Sequence, residues 1–392
     1  MIKLFFLNGF IPYLWDILIM KMKNYILGLF SIAVLVASLQ SCNEDIDITG
    51  DFEETAVVYG LIDQADSVHL IKITRAFIGP GNALEISTIP DSNYFETVQS
   101  IITEKINGSA ARTWTLYDTI VAKDTDGIFY SPNQKLYAFK TGVHDNSNSP
   151  TGQPILANAI YHLDINVNNG EFTVSGETEV ISGINSSQGQ VTTHFNFAKG
   201  ANTTGEFQTT GLNVTPGNSS LINATLVLNY KEFIGTAETD ASVTWELGER
   251  EVDVVDETFT MNGEVFYNII ASDCEDADPL IDKRNFKSIT LSIVGGSADL
   301  LNYILVNQPS SGLAQNKPTF TNLTASGDRK VVGLFSSRYT YERTIQFTDP
   351  SSQFVRCIDA TSTQELCIGA ITGSYLFCSH HVLDIPKAYY CN

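Results

Sequence analysis

The sequence predicts an all-β fold: two β-sandwich-like, immunoglobulin-like domains with few short helices. Three observations carry that expectation. Beyond residue 50 apolar residues recur with period two, Asn-Gly pairs follow alternating runs, and short stretches rich in Val, Ile, Thr, Tyr and Phe are bounded by Gly, Asn, Asp or Pro. Many short strands joined by polar turns pack as sandwiches or barrels.

In chain order, strands are predicted at 55–62, 68–77, 98–105 and 113–116. The stretch 78–96 holds Gly79-Pro80-Gly81-Asn82 and Pro90-Asp91 and reads as a long surface loop. Asp124-Thr125-Asp126-Gly127 reads as a turn before Ile128-Phe129-Tyr130. From Ala159, the residues Tyr161, Leu163, Ile165 and Val167 share one face, and His162, Asp164 and Asn166 the other. Asn169-Gly170 then predicts a two-residue hairpin turn that sets Val167 opposite Phe172 and Ile165 opposite Val174. Asn262-Gly263 predicts a second hairpin, with Phe259 opposite Phe266. Further strands are expected at 221–233, 242–247, 288–294 and 331–335, and a short helix at 298–307 after Gly295-Gly296.

Gly, Asn, Ser and Thr dominate between Ser182 and Ser220. The expected organisation is therefore a β-domain at 51–182, a linker at 183–220, a second β-domain at 221–350 and a cysteine-rich tail at 351–392.

The N-terminus reads as an address. From Met22 come Lys23-Asn24, an apolar run over 25–39, and a small residue, Ser41, before Cys42. That is the layout of a secretory signal over 1–41, and the run is shorter than the roughly 20 apolar residues of a membrane span. Pro12 and Asp16 interrupt the upstream stretch, so translation is expected to start at Met20 or Met22.

Leu39-Gln40-Ser41-Cys42 resembles the lipobox of bacterial lipoproteins. The resemblance implies cleavage between Ser41 and Cys42 and acylation of both the Cys42 thiol and the new amino terminus. Several acyl chains exceed the two signals that stable membrane anchoring requires. The acidic tether at 42–50, with Asn43-Glu44-Asp45-Ile46-Asp47, resembles the surface-export signal of Bacteroidota lipoproteins, which implies the outer face of the outer membrane; a plain solvated tether reads the same. With Val58-Tyr59-Gly60-Leu61-Ile62, Thr74-Arg75-Ala76-Phe77, Thr321-Asn322-Leu323 and the run from Val331 to Tyr339, the chain is similar to Bacteroidota envelope lipoproteins of unknown function. Many of these accompany TonB-dependent receptors, so the resemblance implies such a receptor as partner and supplies no catalytic residue.

The net charge of −21 repels phosphate backbones and excludes nucleic acid as a partner. With Cys42 acylated, five cysteines remain. In an oxidising compartment Cys357, Cys367, Cys378 and Cys391 are disulfide candidates with three possible pairings, and Cys274 is left over. Cys378-Ser379-His380-His381 lacks the paired spacing of a zinc site, and Asp124–Gly127 lacks the calcium ligand ladder. Asp273, Glu275, Asp276 and Asp278 read as a solvated acidic loop. No nucleophile elbow, zinc-protease helix or phosphate loop occurs, and His69, His144, His162 and His194 are scattered. The sequence thus predicts no catalytic, metal or cofactor residues and a non-enzymatic, lipid-anchored binding protein serving a TonB-dependent receptor or nutrient uptake. The alternative is a surface adhesin binding a glycan or peptide; a hydrolase ranks third.

Overall fold

A computed structural model describes residues 55–76, 89–122, 133–142, 153–187, 194–200, 203–253, 255–274, 279–308, 319–347 and 356–391. The expected signal, Ser41, Cys42, the acidic tether and the 124–127 turn lie outside them. The first half supplies β1 (Thr55–Asp63), β2 (Val68–Ala76), the short helix α1 (Pro90–Asn93), β3 (Val98–Ile106), β4 (Ser109–Thr115), β5 (Tyr117–Ala122), β6 (Asn133–Lys140), β7 (Ile160–Val167) and β8 (Phe172–Glu179). There follow β9 (Ile184–Ser186), β10 (Thr209–Pro216), β11 (Leu221–Ile234), β12 (Ala237–Glu251), β13 (Glu257–Asn262) and helix α2 (Gly263–Cys274). The chain continues through β14 (Lys283–Gly296), α3 (Ala298–Asn307), β15 (Leu323–Ala325), β16 (Lys330–Gln346), α4 (Ala360–Ile368) and β17 (Phe377–Cys378). The protein is mostly β, as its alternation predicts.

One nine-stranded sheet runs in the order β12-β11-β14-β16-β1-β2-β6-β5, with β17 added to β14. Its middle joins the two ends of the sequence, because β1 pairs in parallel with β16, Thr55 beside Lys330 through Asp63 beside Arg338. The halves expected as separate domains therefore share a sheet. Gly333 sits at this seam with φ of 118°, where a Cβ would stand 1.9 Å from the Val58 carbonyl oxygen. Asn322 braces the same place, its side chain accepting from the Phe335 N–H at 3.0 Å and donating to the Phe335 carbonyl at 2.7 Å.

Two cores lie on one face of this sheet. The first packs Ala56, Val58, Ile62, Ile71 and Ile73 against Ile102, Tyr161, Leu163, Ile165 and Val174 of a five-stranded sheet ordered β15-β8-β7-β3-β4. The second packs Leu226, Leu228, Leu291, Ile293 and Tyr341 against α2, the small sheet β13-β10-β9 and the C-terminal segment. Segment 183–220 is part of that core rather than a linker: Ile184, Phe195, Phe197, Leu212 and Val214 are buried in it. The tail is likewise built in, through Cys357, Ile358, Leu366 and Phe377.

The β7–β8 register is the expected one, Val167 opposite Phe172 and Ile165 opposite Val174. Its turn is longer than two residues: Asn168, Asn169 and Gly170 all have positive φ, and the Glu171 N–H donates to the Val167 carbonyl. The second expected hairpin is absent. Helix α2 starts at Gly263, whose Cβ would meet the Phe197 carbonyl oxygen at 1.9 Å, so this glycine serves close packing and not a turn.

Candidate ligand groove

Among the described residues the opposite face of the nine-stranded sheet is open except where a helix lies on it, and its chemistry changes along its width. Over β11, β14 and β16 it is polar: Asn229 Nδ2 donates to Ser288 Oγ at 3.2 Å and Thr290 Oγ1 at 3.0 Å, and Thr290 and Thr344 hydroxyls lie 2.9 Å apart. Over β1 and β2 it turns apolar. Alternation sends Ala56, Val58 and Ile62 into the core and leaves Tyr59 and Leu61 on the open side, each 36% exposed. In β2 it buries His69, Ile71 and Ile73 and leaves Val68 and Leu70 exposed.

Helix α3 walls this patch. Ser297 caps it, its Oγ accepting from the Leu300 N–H at 3.2 Å and lying within hydrogen-bond reach of Ser336 Oγ on β16. One turn apart, Leu300 and Tyr303 face the sheet, while no α3 residue is fully buried. The Tyr303 and Tyr59 rings meet edge to face with centroids 5.9 Å apart and hydroxyls 3.0 Å apart. Burial, helped by that shared hydrogen bond, pushes the Tyr59 phenol up to about 12, so it stays neutral and available as a donor. Between helix and sheet opens a cavity of about 380 Å³, lined by Tyr59, Leu61, Val68, Leu70, Leu300 and Tyr303 and ending at Asp66 and Arg338.

The polar end is held from beneath. Asp63 is buried and accepts from the Ala65 N–H and the Thr340 hydroxyl, each at 2.9 Å. Arg338 Nε lies 3.4 Å from Asp63 and its Nη2 lies 4.0 Å from Asp66, so a half-exposed guanidinium stands between two carboxylates. Apolar walls, two phenol hydroxyls and one charged end suit holding an amphipathic ligand.

The other candidate residues are placed elsewhere. Cys378 and Cys391 form a disulfide. Cys357 and Cys367 do not pair: both are buried thiols whose acidity burial suppresses, as is Cys274, whose sulfur lies 3.8 Å from the Tyr230 hydroxyl. The Ser379, His381 and Asp384 side chains gather in the tail without the relay of a catalytic triad. Ser379 Oγ donates directly to Asp384 Oδ2 at 2.5 Å, and His381 Nδ1 accepts from the Leu383 N–H at 3.2 Å. His162, on the polar face of β7, is half-buried between Glu177 at 2.8 Å and Asp164 at 3.0 Å. Trp114 and Trp245 pack against the two cores. Glu275, Asp276 and Asp278 lie outside the described residues.

His69 is a buried group that the sequence did not single out. Its ring stacks on Phe139 at 4.6 Å and Nε2 contacts the Thr141 hydroxyl at 2.8 Å. Burial, only partly countered by the charge of Asp63, lowers its pKa to about 4. The unfolded ring titrates near 6.5. Its contribution to stability is therefore complete above pH 6.5 and is lost as pH falls through 6.5 towards 4, on the order of 3 kcal/mol in all. Urea titrations across that window should show this slope, and His69→Leu should flatten it.

No family model and no curated protein matches the chain. Among solved structures, the C-terminal globular domain of an oligosaccharyltransferase from Pyrococcus abyssi is similar over 62% of this chain, at 10% identity and a TM-score of 0.22. The chain covers 46% of that structure. A likeness of that size carries no argument about function.

Proposed function

We propose that this protein is a non-enzymatic, lipid-anchored envelope protein that faces outward from the outer membrane and binds through the α3 groove. Its partner is a TonB-dependent receptor or a nutrient that such a receptor takes up. The lipobox-like Cys42 motivates the anchor. The observation that carries the binding role is the change from a threonine- and serine-lined open face to the patch of Tyr59, Leu61, Val68 and Leu70 beside Arg338. Apolar surface kept open next to a polar end is a recognition surface. The exposed Tyr59–Tyr303 pair also supports glycan binding, since ring edges and hydroxyls suit sugars.

Leu61→Asp places a charge in the groove at a position already exposed, so the fold should stand. Purified from detergent-solubilised outer membrane, the wild-type protein should bring down a receptor and the variant should lose it at least tenfold. Equal recovery, or recovery of no receptor by either, contradicts the reading. Retention on a polysaccharide column that Tyr59→Ala abolishes would move the assignment to the glycan.

A further inference from the structure

The polar end of the α3 groove holds a donor and an acceptor that the fold does not use. Asp63 directs its carboxylate to the Ala65 N–H and the Thr340 hydroxyl. Arg338 meets Asp63 at 3.4 Å and Asp66 at 4.0 Å, and among the described residues no hydrogen bond ties the Arg338 guanidinium or the Asp66 carboxylate. Both side chains are close to half exposed. Among the described residues that line the cavity, these two alone are charged. Counted with Asp63 beneath them, that end sets two carboxylates against one guanidinium, so it favours a ligand that brings one positive charge. The walls beyond it, Leu61, Val68, Leu70, Leu300 and Leu334, are aliphatic.

We propose that the groove binds the free N-terminus of a short apolar peptide, an inference that rests on the groove being the binding site. The peptide's ammonium pairs with Asp66, and its first carbonyl, on the same residue, accepts from the Arg338 fork. A neighbouring ammonium and carbonyl suit a carboxylate and a guanidinium that stand 4.0 Å apart. The side chains that follow are covered by the aliphatic walls. The Tyr59 and Tyr303 oxygens keep lone pairs for a later peptide N–H. Charge selects this end of a peptide over the other: a C-terminal carboxylate would stand as a third anion beside Asp63 and Asp66, whereas an ammonium brings the end to neutrality. The net charge of −21 draws a cation in the same sense. A sugar brings no charge and would leave the aliphatic walls unmatched. At about 380 Å³ the cavity is near the lower end of ligand pockets, which keeps the peptide to a few residues.

Isothermal titration calorimetry of the full chain in detergent micelles at physiological ionic strength tests this, with trileucine amide as the probe. The wild-type protein should bind it, and should bind N-acetyl-trileucine amide, which lacks the ammonium, at least tenfold more weakly. Asp66→Asn should weaken trileucine amide by the same factor and leave the acetylated peptide unchanged, because either change removes the one ion pair. Trilysine amide carries charge without apolar side chains and should bind at least tenfold more weakly than trileucine amide. Leu61→Lys sets a like charge in the wall and should abolish binding of trileucine amide. A wild-type protein that does not bind trileucine amide, or that binds the acetylated peptide or trilysine amide equally well, would overturn the proposal. So would an Asp66→Asn or Leu61→Lys variant that binds trileucine amide as the wild type does. If trileucine amide fails to bind while Leu61→Asp still loses the receptor, the peptide ligand is refuted and the groove stands as the binding site.

Discussion

Glu104→Ala should lower the stability of the protein by about 3 kcal/mol, because it strands a guanidinium against the first core. Glu104 is buried on β3. Arg112 meets it with two parallel hydrogen bonds, Nε to Oε1 at 2.8 Å and Nη2 to Oε2 at 2.5 Å, and the Tyr161 hydroxyl donates to the same Oε2. Arg112 also donates to the carbonyls of Gln153 and Pro154 and lies over the Trp114 ring, 4.9 Å from its centroid. Burial pushes the Glu104 carboxyl up, but the Arg112 and Tyr161 hydrogen bonds and the guanidinium charge outweigh it and hold the group below the usual carboxylate range. The ion pair therefore contributes above about pH 4.3 and is lost as acid takes the carboxyl through its lowered pKa. Urea denaturation at neutral pH gives the cost directly. A loss under about 1 kcal/mol would place the pair among exposed bridges of little worth. Double substitution with Arg112→Met should recover part of it, since the unpaired cation is then gone.

Asp384→Ala should cost a similar 3–5 kcal/mol in the C-terminal segment. Asp384 is buried and collects Arg356 Nη2 at 2.9 Å, Arg356 Nη1 at 3.3 Å, Ser379 Oγ at 2.5 Å and the Tyr389 hydroxyl at 3.5 Å. Arg356 is itself almost wholly buried, against the Phe347 ring. The loop that carries Asp384 is closed by Cys378–Cys391 and by backbone bonds between Ser379 and both Tyr389 and Cys391. Limited proteolysis should show the change as a tail that is cut before the rest of the chain. A variant as resistant as the wild type would mean that the disulfide and apolar burial hold the segment without this pair.

How much of this could be read from residues alone depends on the range of the contacts involved. The β7 alternation and the 298–307 helix are local signals, and the structure has both, the helix capped by Ser297. Asn262-Gly263 misled because it is also local, whereas what decides there is distant: the backbone of Phe197 packs against Gly263. The spacing of Phe266, Ile270 and Cys274, four residues apart and all buried, was the helical signal available in the sequence. The groove was not legible, since Tyr59 and Tyr303 are 244 residues apart and meet only because β1 lies beside β16. Two of the stretches that carried the family resemblance, Val58–Ile62 and Val331–Tyr339, are side by side in that pairing. Among the cysteines, spacing could not separate the bridged Cys378 and Cys391 from Cys357 and Cys367, which burial sets apart as free thiols.

The anchor proposed for this groove-bearing β-protein is one sulfur atom, that of Cys42. Intact-mass spectrometry of the protein extracted from outer membranes tests it most directly. The extracted chain should begin at Cys42 and carry the added mass of three acyl chains, and a Cys42→Ser variant should keep its leader uncut. A mature chain without acyl mass, or a Cys42→Ser variant trimmed at the same bond and still sedimenting with membranes, would contradict it.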